Sequence, residues 1–416
     1  MGPRSRAGLT TALALAALVA GCGGVDATVG NRIPGKKLTI YAGVPLQGAS
    51  AKSGLAVVDG ARLALAGARG RIGSYRVVLK ALNDATAAQG LWDPGQTSSN
   101  AVQAAADPTA IGYIGDLDSG ASAVSIPILN GAGIPQISPR SSAVGLTSGG
   151  PGAAPGEPGK YYPTHVRTFA RVAPSDAVQA AVQVKLQRSL GCTKTYVLDD
   201  GEVDGEDLGT SFGIAAQRAG LRVINTQQFD PHATTYAALA HALQSTGADC
   251  VLISAISGSN AVPVTKQIAS ALPQARIFAG AGVAQSTYVS PTQGGIPLAD
   301  DARVLITSPA LGWSAYPAAA RSFAVAFTRS YGQPQPDAIL GYESMQLMLS
   351  AIRAATHGGR RPARRSAVVS ALFETHDRRS VLGTYSIEPS GDTTMATYGV
   401  WRVVSGSLRF WKAIER

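Results

Sequence analysis

The chain has 416 residues, of which 45% are hydrophobic and 15% charged, and its formal net charge is +10. That length exceeds one ordinary core and suits two, and the balance excludes a disordered or collagen-like chain. The positive charge invites a nucleic-acid reading, but the dense patches, Arg360, Arg361, Arg364 and Arg365, then Arg378 and Arg379, contain no aromatic residue within them. They offer no stacking platform for single strands and read as a solvated loop and helix face, so no nucleic-acid partner is expected. The basic surface suits an anionic membrane or wall polymer.

At the N-terminus, Arg4 and Arg6 precede the apolar run Leu9 to Ala20 (LTTALALAALVA), which is too short to span a bilayer as a helix. It ends in Leu18-Val19-Ala20-Gly21-Cys22. Small residues directly before a cysteine resemble the bacterial lipobox. The resemblance implies a signal peptide over 1–21, lipidation of Cys22 and a lipidated tether over 22–37. Within the tether, Gly30 to Lys37 (GNRIPGKK) begins like a phosphate-binding loop. Lys37 stands where Ser or Thr must follow, and no strand precedes it, so the motif is rejected.

The body alternates strands and helices. Strands are predicted at Leu38–Ala42, Tyr75–Leu82, Ala110–Ile114 and Pro135–Ser138, with helices at Ala56–Ala68, Thr97–Ala106 and Ala121–Ala132 between them. A Gly/Pro-rich loop follows over Ser148–Pro163. The pattern then restarts with strands at Lys194–Leu198, Leu221–Phe229, Cys250–Ile256 and Arg276–Gly280, and helices at Asp207–Ala219, Tyr236–Ser245 and Val262–Ala271. This order predicts an α/β fold of two doubly wound parallel-sheet lobes, with ligands at the carboxyl ends of the strands and a cleft that closes by hinge motion.

Cys192 and Cys250 each stand just before a β-rich run. If those runs are adjacent parallel strands, an oxidising exterior permits a disulfide; two buried thiols are the other reading. Gly209-Thr-Ser211-Phe-Gly213 fits a hydrolase pattern, but that motif needs a strand-to-helix elbow and here lies in a helical run. The histidines lack metal-ligand spacing. No catalytic residue, cofactor motif or metal site is read, and the chain is not expected to be an enzyme.

The informative places are strand ends. Asp116-Leu-Asp118-Ser119-Gly120 opens a helix after the strand at 110–114. A serine and free backbone N–H groups at a helix start suit a carboxylate. The next strand ends in Ser138-Pro139-Arg140-Ser141-Ser142 on the same edge.

With these residues in view, the chain resembles the branched-chain amino-acid substrate-binding proteins of ABC importers, a branch of the type I periplasmic binding proteins. The resemblance is carried by Val44-Pro-Leu-Gln-Gly48, Asp59-Gly60-Ala61, Trp92 to Thr97, Ser119, Ile137 to Pro139, Lys160 to Pro163, Arg171 to Pro174, Gly341-Tyr-Glu343 and Val381 to Ser386. It implies lobe I over 37–165 and 300–385, lobe II over 166–299 and 386–416, and a hinge of three crossovers. It implies a ligand carboxylate held by Ser119 with Arg140 and Ser142, ABC permease subunits as partners, and attachment to the outer face of the cell membrane.

Two departures bear on the ligand. Asp204 stands where such proteins often have Tyr, and Ala281 where they carry the acid that pairs with the ligand ammonium. A buried ammonium without a carboxylate is costly. Either Asp204 supplies that charge from its acidic run, or the ligand is not an ordinary α-amino acid. A ligand-sensing lipoprotein without a permease remains the alternative function, because fold alone does not choose between them.

Overall fold

The computed structural model describes Gly2, residues 31–87 and residues 90–416. Apart from Gly2, the signal segment, Cys22 and the tether up to residue 30 lie outside the described residues.

The smaller sheet holds β1 (Lys37–Val44), β2 (Arg71–Ile72), β3 (Tyr75–Asn83), β4 (Ala110–Ile114), β5 (Gln136–Ser138) and β6 (Phe169–Arg171), in the order β2-β3-β1-β4-β5-β6. All but the edge strand β2 run parallel. β1 is buried from its second residue onward, as a parallel strand covered on both faces requires. Helix α1 (Ala51–Gly67) follows β1, α2 (Pro94–Ala106) follows β3 and α3 (Ser119–Gly131) follows β4. The later helix Asp337–Ala355 packs along α1, and its Met345, Leu347 and Met348 join Ile40 and Val57 in one core.

The larger sheet holds β7 (Lys194–Asp199), β8 (Arg222–Gln228), β9 (Cys250–Ser254), β10 (Arg276–Ala279) and β11 (Val304–Ser308). A ribbon of β12 (Arg378–Arg379) and β13 (Thr384–Tyr385) stands apart. β14 (Thr397–Val404) and β15 (Ser407–Glu415) extend the larger sheet, whose order is β15-β14-β11-β10-β9-β7-β8. The strands β8 to β11 are parallel and β14 and β15 antiparallel. Helix α4 (Asp176–Ser189) follows β6, and α5 (Val203–Ala219) follows β7. This is the α/β fold with two doubly wound sheets expected from the alternating pattern.

The chain crosses between the sheets three times: from β6 to α4, from β11 to the helix Ala318–Tyr331, and from β13 to β14. These strands fall differently from the expected boundaries. β6 lies in the smaller sheet although 166–299 was assigned to lobe II. β11 lies in the larger although 300–385 was assigned to lobe I. Both strands are short and adjoin crossovers, where sequence patterning carries no sign of which sheet receives them. The first and third crossovers are pinned together. Arg171 is fully buried; its Nε donates to Asp392 at 2.7 Å and its Nη1 to the Ala143 carbonyl at 2.7 Å.

Two further expectations change. Arg365 is not part of a solvated face: it is buried, and its guanidinium donates to the carbonyls of Ala110, Ala132 and Asp107. Arg378 pairs with the buried Glu343 at 2.6 Å. Adjacent parallel strands β7 and β9 bring Cys192 and Cys250 together, and the two are joined in a disulfide with Cα atoms 5.8 Å apart.

Candidate ligand-binding site between the lobes

In each sheet the strand order reverses about a central strand, at β1/β4 in the smaller and β7/β9 in the larger. Ligands of doubly wound sheets bind outside the carboxyl ends of strands at such switch points. Here α3 leaves β4 and α5 leaves β7, and the first turns of the two helices meet across the lobes. The Ser119 N–H donates to Asp204 Oδ2 at 2.8 Å and the Ser119 hydroxyl to Asp204 Oδ1 at 2.7 Å. The Asp204 carboxyl group therefore sits on the α3 N-terminus, where free N–H groups and the helix dipole favour its ionised form.

The loop after β5 completes this seam. Ser119 Oγ accepts from the N–H groups of Ser142 at 3.1 Å and Ala143 at 3.2 Å. The Ser142 hydroxyl donates to Asp176 at 3.1 Å, and the Val144 N–H donates to Asp207 at 3.0 Å, both aspartates lying in helices of the larger lobe. Arg140 is buried between two carboxylates, Asp118 at 2.6 Å and Asp337 at 3.5 Å. Lys52 reaches Gln293 at 2.7 Å from the smaller lobe's side. The lobes are thus closed onto one another.

The structure brings Ser119, Arg140, Ser142 and Asp204 to one seam. Asp204 is not in a loop: the acidic run forms the first turn of α5, which begins at Val203 rather than Asp207. Its carboxylate faces Ser119. Gly205 behind it has no room for a side chain, since a Cβ there would meet Asp200 Oδ1 at 2.0 Å. Ala281 is buried at the end of β10 and brings only a methyl group.

Sequence reasoning missed three carboxylates and named Trp92 only as part of the resemblance. Asp84, at the end of β3, is fully buried, and neither of its carboxylate oxygens has a hydrogen-bond partner among the described residues. Asp118 lies within electrostatic reach of Asp84, Glu202 and Asp204. The Trp92 indole lies beside the Glu202 carboxylate and over Gly120, where an added Cβ would meet the ring at 2.4 Å. The rule that located Ser119, that ligands gather at strand ends, also points to Asp84 directly after Asn83.

Crowding of acids sets their protonation. Burial, then the charge of Asp118, pushes Asp204 up to about 7, against the lowering effect of the Ser119 bonds and Arg140. Burial, then Asp204 and Asp118, pushes Glu202 up to about 7. Burial, then Asp116 and Asp118, holds Asp84 well above the ordinary carboxylate range. Each is a charge removed from water among like charges.

A separate cavity of about 540 Å³ lies between α4 and α5, lined by Val184, Arg188, Ser211, Ile214 and Arg218. It meets the seam at Val144 and is not lined by Ser119, Arg140, Ser142 or Asp204.

The periplasmic binding protein family model matches residues 39–407. No curated protein sequence matches the chain. Among solved structures, the leucine-binding protein LivK from Thermotoga maritima is similar at 20% identity and a TM-score of 0.77, covering 91% of this chain and 99% of its own. LivJ from Streptococcus pneumoniae, solved with isoleucine, is 17% identical with a TM-score of 0.73 over 92% of this chain and 100% of its own. A solute-binding protein of an ABC transporter from Rhodopseudomonas palustris, solved with benzoate, is 17% identical with a TM-score of 0.73 over 91% and 98%.

The chain is an extracytoplasmic solute-binding protein in class, not an enzyme: it belongs to the periplasmic binding protein family. Its fold is the two-lobed type I form seen in the LivK and LivJ structures.

Proposed function

We propose that the chain captures a small polar solute between its lobes and presents it to the permease of an ABC importer, while a lipid on Cys22 holds it at the outer face of the membrane. The observation that carries this reading is the meeting of the α3 and α5 N-termini through Ser119 and Asp204, across two lobes and at both switch points. The residues assigned to the solute are Ser119, Arg140, Ser142 and Asp204, with Ala281 as a neutral wall. Each sheet with its covering helices is one lobe, and the three crossovers are the hinge.

A thermal-shift screen of amino acids, small carboxylates, amides and amines tests the reading, because a ligand that binds only the folded state stabilises it by mass action. At least one compound is expected to raise Tm in a concentration-dependent way, and Ser119→Ala is expected to weaken that compound by about tenfold or more, the order of one charge-assisted hydrogen bond. A screen in which nothing shifts Tm contradicts solute capture. For the anchor, Cys22→Ser is expected to move the protein from the membrane to the soluble fraction. Retention of that variant in the membrane would remove the lipid from the account.

A further inference from the structure

The side-chain donors of Ser119, Ser142 and Arg140 are already turned onto the protein's own acids, whereas the Trp92 indole N–H is buried without a hydrogen-bond partner. Ser119 N–H and Oγ–H go to Asp204. The Ser142 N–H goes to Ser119 and its hydroxyl to Asp176. Arg140 is matched to Asp118 and Asp337. Arg140, the cation beside Ser119, is thus already matched by carboxylates, and Lys52 at the edge of the lobe contact is engaged by Gln293. The α3 N-terminus, the place that best suits one, already holds the carboxylate of Asp204.

The acceptors run the other way. Asp118, Glu202 and Asp204 cluster there against the one Arg140. An acidic cluster alone identifies no ligand, but Asp84 adds an independent fact. It is 0% exposed, within electrostatic reach of Asp116, Asp118 and Arg140, and both its oxygens lack a hydrogen-bond partner among the described residues. A buried carboxylate that accepts nothing is costly. Trp92 stands beside Glu202 and over Gly120, an apolar body at the same place. All of this stands in a protein whose formal net charge is +10, so the acidity is local to the cleft.

Resting on the reading of the seam as the solute site, we infer that the solute is an organic cation without a free carboxylate: an amine, diamine or guanidinium compound rich in N–H donors. Its positive groups bind Asp118, Glu202 and Asp204 and satisfy the orphaned oxygens of Asp84, with the Trp92 ring against its carbon chain. Electroneutrality decides between ligand classes. A neutral or anionic solute leaves the acids unmatched, whereas each cationic centre removes one of the repulsions that raise them.

The test is titration calorimetry and thermal shift of the full soluble body, with putrescine and agmatine as cationic probes and leucine and benzoate as carboxylate probes. Putrescine or agmatine is expected to bind and raise Tm, and the carboxylates at the same concentration are not. Asp84→Asn and Glu202→Gln are each expected to weaken the cation by about tenfold or more. Asp84→Asn replaces a carboxyl group that burial keeps largely protonated with a neutral amide of similar shape, so the ligand-free variant is expected to melt near the parent temperature, which separates lost binding from lost folding. Binding of leucine or benzoate without any cation overturns this inference and leaves solute capture standing. Binding of no probe and of nothing in the wider screen overturns both. Cation binding that neither variant weakens places the cation elsewhere and overturns the site.

Discussion

Asp204 and Ser119 hold the two lobes together through one carboxylate. Its two contacts measure 2.7 and 2.8 Å and become of the stronger, charge-assisted kind where the group is ionised. The same carboxylate is held against Asp118 and pushed up to about 7, first by burial. Glu202 and Asp116 are likewise pushed up to about 7, in both cases chiefly by burial. The sign of the pH effect follows. A carboxyl raised in the folded state keeps a proton there that the unfolded chain has lost, so its contribution to stability is complete below the unfolded value near 4 and is given up as pH rises through 7. The ligand-free protein is therefore expected to lose Tm between pH 5 and pH 8, with a shallower slope in Asp204→Asn. Scanning fluorimetry across that window checks this; an unchanged slope in the variant would show that Asp204 does not titrate there.

Among the elements, the helix starts α3 and α5 and the strand pair β7/β9 carry most of the argument. Periodicity placed β1, β4, β5, β7, β9 and β10 well, because parallel strands buried on both faces read as apolar runs, and it did not report β2, β6, β11 or β15. It placed helix starts late. The first turns of α2, α3 and α5 are polar, built from Pro94-Gly95-Gln96, Ser119-Gly120 and Val203-Asp204, and an apolar stripe does not report them. That is why Asp204 read as a loop residue when it is the second residue of α5. Asp84 was missed for another reason: a single acid after a strand looks like turn chemistry, and only its burial shows otherwise. The disulfide belongs to this scale too. It ties β9 to the segment entering β7 across 58 residues of sequence. Cys192→Ser with Cys250→Ser is expected to cost about 2–4 kcal/mol, read as a lower midpoint in urea. An unchanged midpoint would show that the bridge does not form or does not stabilise the larger lobe.

For the whole molecule, two sheets are joined by three crossovers and meet at the seam between the α3 and α5 starts. Arg171, locked to Asp392 and to the loop after β5, ties two of the crossovers and the loop that bonds Ser119 into one unit. The two doubly wound sheets were legible because alternating elements dictate them, and the three crossovers came with the resemblance. Which sheet takes β6 and β11 was not, because each is decided by packing beside a crossover. The central claim is that the solute sits between the lobes at the α3 and α5 N-termini. A crystal structure of the complex with the tightest ligand tests it most directly. The account predicts ligand nitrogen atoms within hydrogen-bond distance of Asp118 or Asp204 and against the Trp92 ring. Ligand found instead in the cavity between α4 and α5, beside Ser211 and Arg218, with Asp204 still on Ser119, would contradict it.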